Sequence, residues 1–215
     1  MFAPLKLPWE VLERIVGHCS DDMQTLYRCS LTCHQLRPRS LCLMVSKIDL
    51  TKRSRNDIFA LCRFLLAYPH LPPLVDTIAT RPDVFAPFPL LHILPNLSQL
   101  VFTRGAHNGR DECLELNSLP LPILTCYHRF GTHVATLRLS YLSFPTYQEL
   151  CRLLLAFPAA KELHCDFVTI RRTNTIGAQL DQVRRRLSRL PELKALVVNA
   201  TENSCMIWFT PNRRS

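Results

Sequence analysis

Cys62 to Pro69 reads CRFLLAYP and Cys151 to Pro158 reads CRLLLAFP; six of the eight positions are identical and the other two are conservative. Each octamer ends a segment that opens with a capping-box pattern, Ser54-x-x-Asp57 before the first and Thr146-x-x-Glu149 before the second. In such a box the N-cap hydroxyl and the carboxylate three residues on satisfy each other's backbone N–H groups, which starts a helix. Proline at the far end stops it. An apolar residue stands five positions beyond each proline: Pro69 to Leu74, Pro95 to Leu100, Pro158 to Leu163, Pro191 to Leu196. Short strands are predicted at Leu74–Ile78, Leu100–Phe102, Leu163–Phe167 and Leu196–Val198. Ala135-Thr136-Leu137-Arg138-Leu139 supplies another strand without its proline. Leu180, Val183, Leu187 and Leu190 mark a helix before Pro191.

The predicted unit is helix, proline, turn, strand. Its reference leucines 74, 100, 137, 163 and 196 are separated by 26, 37, 26 and 33 residues. Such spacing fits an irregular leucine-rich-repeat-like stack, in which each unit buries an apolar face only against its neighbours, with strands parallel on one side. An ordinary α/β domain whose helices end at proline fits the same alternation. The asparagine ladder of standard leucine-rich repeats is missing.

Ahead of the stack lies Leu7 to Leu36, LPWEVLERIVGHCSDDMQTLYRCSLTCHQL. Pro8 suits the first position of a helix, and Val11, Leu12, Ile15, Val16 and Cys19 form one stripe. Ser20-Asp21-Asp22 interrupts the period and offers N-cap oxygens to a second helix, in which Leu26, Cys29, Ser30 and Cys33 share a face. Periodicity alone fits a helical hairpin capping the next domain. The string Leu7-Pro8-x-Glu10-Val11-Leu12-x-x-Ile15, an acidic joint, then Leu26-x-x-Cys29-Ser30-Leu31-x-Cys33 resembles an F-box. Arg37-Pro38-Arg39-Ser40 is similar to the continuation found in large fungal, basidiomycete-type F-box families. F-boxes often carry Trp near the end of the second helix; Leu36 stands there.

The resemblance implies an α/β protein with a small helical F-box at residues 1–45 and a short leucine-rich-repeat-like solenoid at 46–215. It implies a subunit that docks on the Skp-type adaptor, and through it on cullin, of a Skp–cullin–F-box ubiquitin ligase. Leu7, Pro8, Val11, Leu12, Ile15, Leu26, Leu31 and Leu36 would form the adaptor-contacting set. The repeats would hold an unknown protein substrate. The chain itself would be no enzyme and need no cofactor.

Composition agrees with a globular chain: 215 residues, 47% hydrophobic and 20% charged, with 16 prolines and only 5 glycines. Few glycines speak against a sandwich with many tight primed turns. Ten cysteines in so long a chain suggest free buried thiols in a reducing compartment rather than a disulfide scaffold. The start, MFAPLKLPWEVLER, lacks a basic region followed by an apolar run, so no signal peptide is expected. The uncharged run Val84 to Thr103 is broken by Pro87, Pro89 and Pro95 and makes a poor membrane span. A cytoplasmic or nuclear protein is expected. Met206 to Phe209 reads as a final apolar strand without an obvious cap, which suggests a shortened family member.

The formal charge is +9, yet residues 1–50 hold six Lys/Arg against five acids. The excess lies further on, at Arg171, Arg172, Arg184, Arg185, Arg186 and Arg189. A nucleic-acid-binding protein using the Arg184–Arg189 helix is therefore the alternative reading, against a solvated helix face favoured by the helix dipole. No zinc-finger, RNA-recognition or helix-turn-helix pattern accompanies it. Cys19, Cys29, Cys33, His34 and Cys42 cluster, but Cys29 and Cys33 fall inside a predicted helix, so no metal site is expected. In His164-Cys165-Asp166 a strand would turn the cysteine away from its neighbours, which denies it a local base. No phosphate-binding loop is present. The polar stretch Arg104 to Asp111 reads as a connection.

Overall fold

The structure, a computed structural model, describes residues 8–20, 22–83, 87–104 and 113–171, and the backbone of 195–199. The chain divides into two units, Met1–Ile48 and Asp49–Ser215.

In the first unit α1 (Trp9–His18), α2 (Met23–Thr32) and α3 (Leu36–Ser46) pack as a small helical cluster, α3 against both others. Pro8 stands one place before its expected position. It is the N-cap of α1, where its carbonyl accepts from the Val11 and Leu12 N–H groups. Asp22 caps α2 by accepting from the Gln24 and Thr25 N–H groups at 3.1 and 3.0 Å. Its hydrogen bonds with Thr25, from the side chain first, hold the carboxyl below its ordinary value. Cys33 has extended backbone and ends α2, so Leu36 does not belong to the second helix but opens a third. The Cys33 sulfur accepts from the Leu36 N–H at 3.4 Å. Pro38 falls in the first turn of α3, where a missing N–H leaves no intrahelical bond unmade.

The short strand β1 (Lys47–Asp49) straddles the division. The second unit then runs α4 (Arg55–Ala67), β2 (Thr77–Thr80), α5 (Phe88–Ile93), β3 (Gln99–Thr103), β4 (Leu114–Glu115), α6 (Leu121–Phe130), β5 (Thr136–Phe144), α7 (Tyr147–Leu155), β6 (Glu162–Ile170) and β7 (Ala195–Asn199). The strands form one sheet in the order β1-β2-β3-β5-β6-β7, with β4 paired to β5. All pairings from β2 to β7 are parallel. The architecture is mixed α/β with an open parallel sheet.

One register line crosses the sheet through Ile78, Leu100, Leu137, Leu163 and Leu196. Four of these are the expected reference leucines. The first is not: Leu74 lies in a 3-10 turn, Pro72–Leu74, and Ile78 takes its place. The five-residue step starts from a different proline here. Pro73, not Pro69, stands five residues before the register position.

Around this line the units repeat in backbone detail. Six residues before it come Pro72, Leu94, Gly131 and Phe157; three before it, Val75, Leu97, Val134 and Ala160; all are buried. In each unit the N–H of the later residue donates to the carbonyl of the earlier, at 3.2, 3.5, 3.1 and 3.2 Å. The next link joins units. The Asp76 carbonyl accepts from the Ser98 and Gln99 N–H groups, the Ser98 carbonyl from Ala135 and Thr136, and the Ala135 carbonyl from Lys161 and Glu162. Two residues past the line, Thr80, Phe102, Leu139 and Cys165 point inward and are buried, as strand alternation requires.

The helices lie in sequence, α4 on α5, α5 on α6, α6 on α7. Phe102, Tyr127 and Phe157 are fully buried and meet at ring separations of 5.3 to 6.0 Å. Burial pushes the Tyr127 phenol well above its ordinary value. The Ser54–Asp57 capping box is complete at the start of α4. At α7 only half of the expected box forms. Thr146 accepts from the Glu149 N–H, while a Glu149 carboxylate oxygen is held by Arg152 at 2.8 Å and Ser118 at 3.0 Å instead.

Candidate functional site: exposed surfaces of the two units

Two surfaces carry side chains without an obvious structural task. The first lies on the helical unit. On α1, Val16 is buried and Leu12 half-buried, which leaves Val11 and Ile15, one turn apart, exposed. On α2, Leu26 and Ser30 are buried. Met23, Tyr27 and Leu31 follow one another at four-residue spacing on the flank beside that buried stripe and are exposed. Leu41 on α3 is exposed as well. Five large apolar side chains on two ten-residue helices exceed the scattered exposure normal for a surface, and such clusters mark partner sites.

The residues expected to contact an adaptor separate accordingly. Val11, Ile15 and Leu31 are exposed, Pro8 is exposed at the helix start, and Leu12 and Leu36 are half-buried. Leu26 is fully buried; it supports the face and offers it no surface. Leu7 lies outside the described residues. Met23 and Tyr27 were missed. Their signal was a second apolar stripe on α2, in register with Leu31 and beside the one that holds Leu26.

The second surface is the outward face of the sheet. Thr77, Gln99, Thr136 and Glu162 form one row across it, and Ala79, Val101, Arg138 and His164 the next. Side chains bond across strands, along the first row and diagonally beyond the second. Thr77 donates to Gln99 at 3.3 Å, Thr136 donates to Glu162 at 3.2 Å, and Arg138 pairs with Asp166 at 2.8 Å. Beyond them β5 and β6 break alternation together. Tyr141 and Phe167, each four residues past the register line, take left-handed backbone with φ of 56° and 55°. Their rings stack at 4.8 Å and 14°. A left-handed non-glycine residue costs on the order of 1–2 kcal/mol, so two in line are sustained by the surrounding sheet.

His164-Cys165-Asp166 sits in β6. Cys165 faces the core, and burial pushes its thiol up to about 12; a thiol so held is no nucleophile at neutral pH. Asp166 also accepts from Ser140 at 3.4 Å. Cys33 stands at the end of α2 and is exposed, not inside the helix as expected. Every cysteine among the described residues is free, and no group of three or more His, Cys, Asp or Glu among them is arranged to hold a metal ion. No described helix is long and apolar enough to cross a membrane. The Arg184–Arg189 segment, the helix before Pro191, the Met206–Phe209 stretch and nearly all of the Arg104–Asp111 connection lie outside the described residues.

No family model matches the sequence, and no curated protein matches it.

Proposed function

We propose that the chain is a substrate-recruiting F-box subunit of a Skp–cullin–F-box ubiquitin ligase. The helical unit docks on the Skp-type adaptor, the second unit is a leucine-rich-repeat-like stack that holds a protein target, and other subunits transfer the ubiquitin. The observation that carries this reading is the exposed apolar set Val11, Ile15, Met23, Tyr27 and Leu31 on α1 and α2, in the segment that resembles an F-box. A helical patch of this kind gains by burial in a groove, at roughly 25 cal/mol per Å² of apolar surface removed from water. The shared register of β2, β3, β5, β6 and β7, with its recurring turn bond, supports the repeat reading beside it.

The test is a pulldown of the full chain with a purified Skp-type adaptor, beside Leu12→Asp, Ile15→Asp and Leu31→Asp. Binding by the parent and its loss in Ile15→Asp and Leu31→Asp, with unchanged circular dichroism, is expected. Leu12 is half-buried, so its variant is read only if its melt matches the parent's. A folded parent that ignores the adaptor, or binding indifferent to all three charges, refutes the reading.

A further inference from the structure

α4 opens the helix layer of the second unit, and α5 is the next helix in line. Ile58, Cys62 and Leu65 turn inward and are buried. That leaves Arg55, Phe59, Arg63 and Leu66, at intervals of four, four and three residues, along one exposed flank of the helix. Arg55 lies over the Phe59 ring at 5.7 Å. Phe64 and Tyr68 are exposed on the other flank, their rings 4.9 Å apart.

The charges on this helix and in the turn before it are mainly positive. Lys52, Arg53, Arg55 and Arg63 stand against a single carboxylate between Leu50 and Val75, that of Asp57. That carboxylate is occupied by the Ser54 backbone and hydroxyl, each at 2.8 Å. Among the described residues neither Arg55 nor Arg63 makes an ion pair. The sequence-equivalent Arg152 does, to Glu149 three residues earlier; Ala60 stands three residues before Arg63.

We infer that the Arg55–Phe59–Arg63–Leu66 flank is a docking surface for an acidic amphipathic helix of a partner protein. Alternating cations and apolar groups over three helical turns call for carboxylates alternating with apolar side chains at the same spacing. Arginine and aromatic side chains together are what protein interfaces enrich in their anchors. The surface shares no residue with either surface described above, and the inference does not rest on the ligase reading.

The probe is a fluorescent helical peptide of about 14 residues, one more than the 13 of α4, with leucines at i, i+4, i+7 and i+11 and glutamates beside them. Its control carries lysine for every glutamate. Binding to the full chain is followed by anisotropy at low and high salt. The acidic peptide is expected to bind and the basic one not. Arg55→Glu/Arg63→Glu, both exposed, is expected to weaken the acidic peptide about tenfold or more and to admit the basic one. Phe59→Ser is expected to weaken both pairings. Equal binding of the two peptides, or no swap of preference in the double variant, overturns the inference. So does a flank whose double variant loses phosphatidylserine vesicles or single-stranded DNA while the acidic peptide never binds, because the partner is then a lipid surface or a nucleic acid.

Discussion

CRFLLAYP ends α4 and CRLLLAFP ends α7, and the two octamers live in different surroundings. In the second, Cys151, Leu153, Leu154, Ala156 and Phe157 are all buried. In the first only Cys62 and Leu65 are, while Phe64, Leu66 and Tyr68 are 49%, 63% and 48% exposed. Near-identical sequence has nearly identical propensity, so propensity does not make this difference. Place does: Phe157 stands six residues before its register leucine, Tyr68 ten before Ile78. Phe157 reaches a core already furnished with Phe102 from β3 and Tyr127 from α6. Tyr68 meets the rings of Phe64 and His70, at 4.9 and 6.1 Å, and stays half exposed. One helix-end sequence is thus core or surface according to what stands beside it.

The strongest way to break the comparison is to truncate the seventh residue of each octamer. Phe157→Ala is expected to cost about 3–5 kcal/mol, the usual range for deleting a buried aromatic ring. Tyr68→Ala is expected to stay within about 0.5 kcal/mol. Urea unfolding curves read both. Equal losses would mean that Tyr68 is covered in solution and that the two octamers are equivalent after all.

Gly131 sharpens the same contrast. A Cβ there would lie 2.8 and 2.9 Å from two ring carbons of Phe157, so this position is glycine for lack of room. Gly131→Ala is expected to cost roughly 1–3 kcal/mol through overpacking. Phe157→Leu in the same chain should recover part of that loss, because the offending ring is gone. Strictly additive losses in the double variant would show that the two residues do not press on each other.

The octamers also show which parts of the fold could be read from the sequence. The proline-plus-five step located the register leucines at 100, 163 and 196; before β3 and β6 the turn is the same piece of backbone. It failed at the first unit, where Pro69, Pro72 and Pro73 compete and only the bond from Val75 to Pro72 identifies the turn. Beyond Pro8, proline is expected only at helix ends. Pro87 and Pro120 instead precede α5 and α6, with Pro89 and Pro122 in their first turns, and Pro38 does the same in α3. Proline is tolerated there for the reason that makes it a stop elsewhere, so those three helices went unseen. On the helical unit Val11, Ile15 and Leu31 could be read from their period. Leu26 could not be told from them, since a surface stripe and a core stripe on α2 have the same spacing and only α3 decides which is which.

The capping boxes give a smaller effect with a pH signature. Ser54→Ala is expected to cost about 1 kcal/mol, and Thr146→Ala less, because its box is half made. Hydrogen bonds from Ser54, the backbone one first, hold the Asp57 carboxyl below its ordinary 3.8. Its folded value is the depressed one, so its contribution is whole above the ordinary value and fades as pH falls below it. The gap between parent and Ser54→Ala should therefore narrow in acid, as followed by unfolding at stepped pH. A gap that stays constant, or one that widens, would show that the reciprocal bond to Asp57 does not form.

The smallest expected difference lies at the second residue of the octamers. Arg152 is half-buried between Glu149 at 2.8 Å and the Ser118 hydroxyl at 3.3 Å, whereas Arg63 is exposed with Ala60 where the glutamate would be. Arg152→Ala is expected to cost no more than about 1 kcal/mol, the upper range for a partly exposed pair, and to cost less at high salt. Arg63→Ala should leave stability unchanged, and on the docking inference it should weaken the acidic peptide instead. One arginine then holds its own stack together while its sequence twin faces outward. A measurable stability loss in Arg63→Ala without any change in peptide binding would assign the two arginines the same structural task.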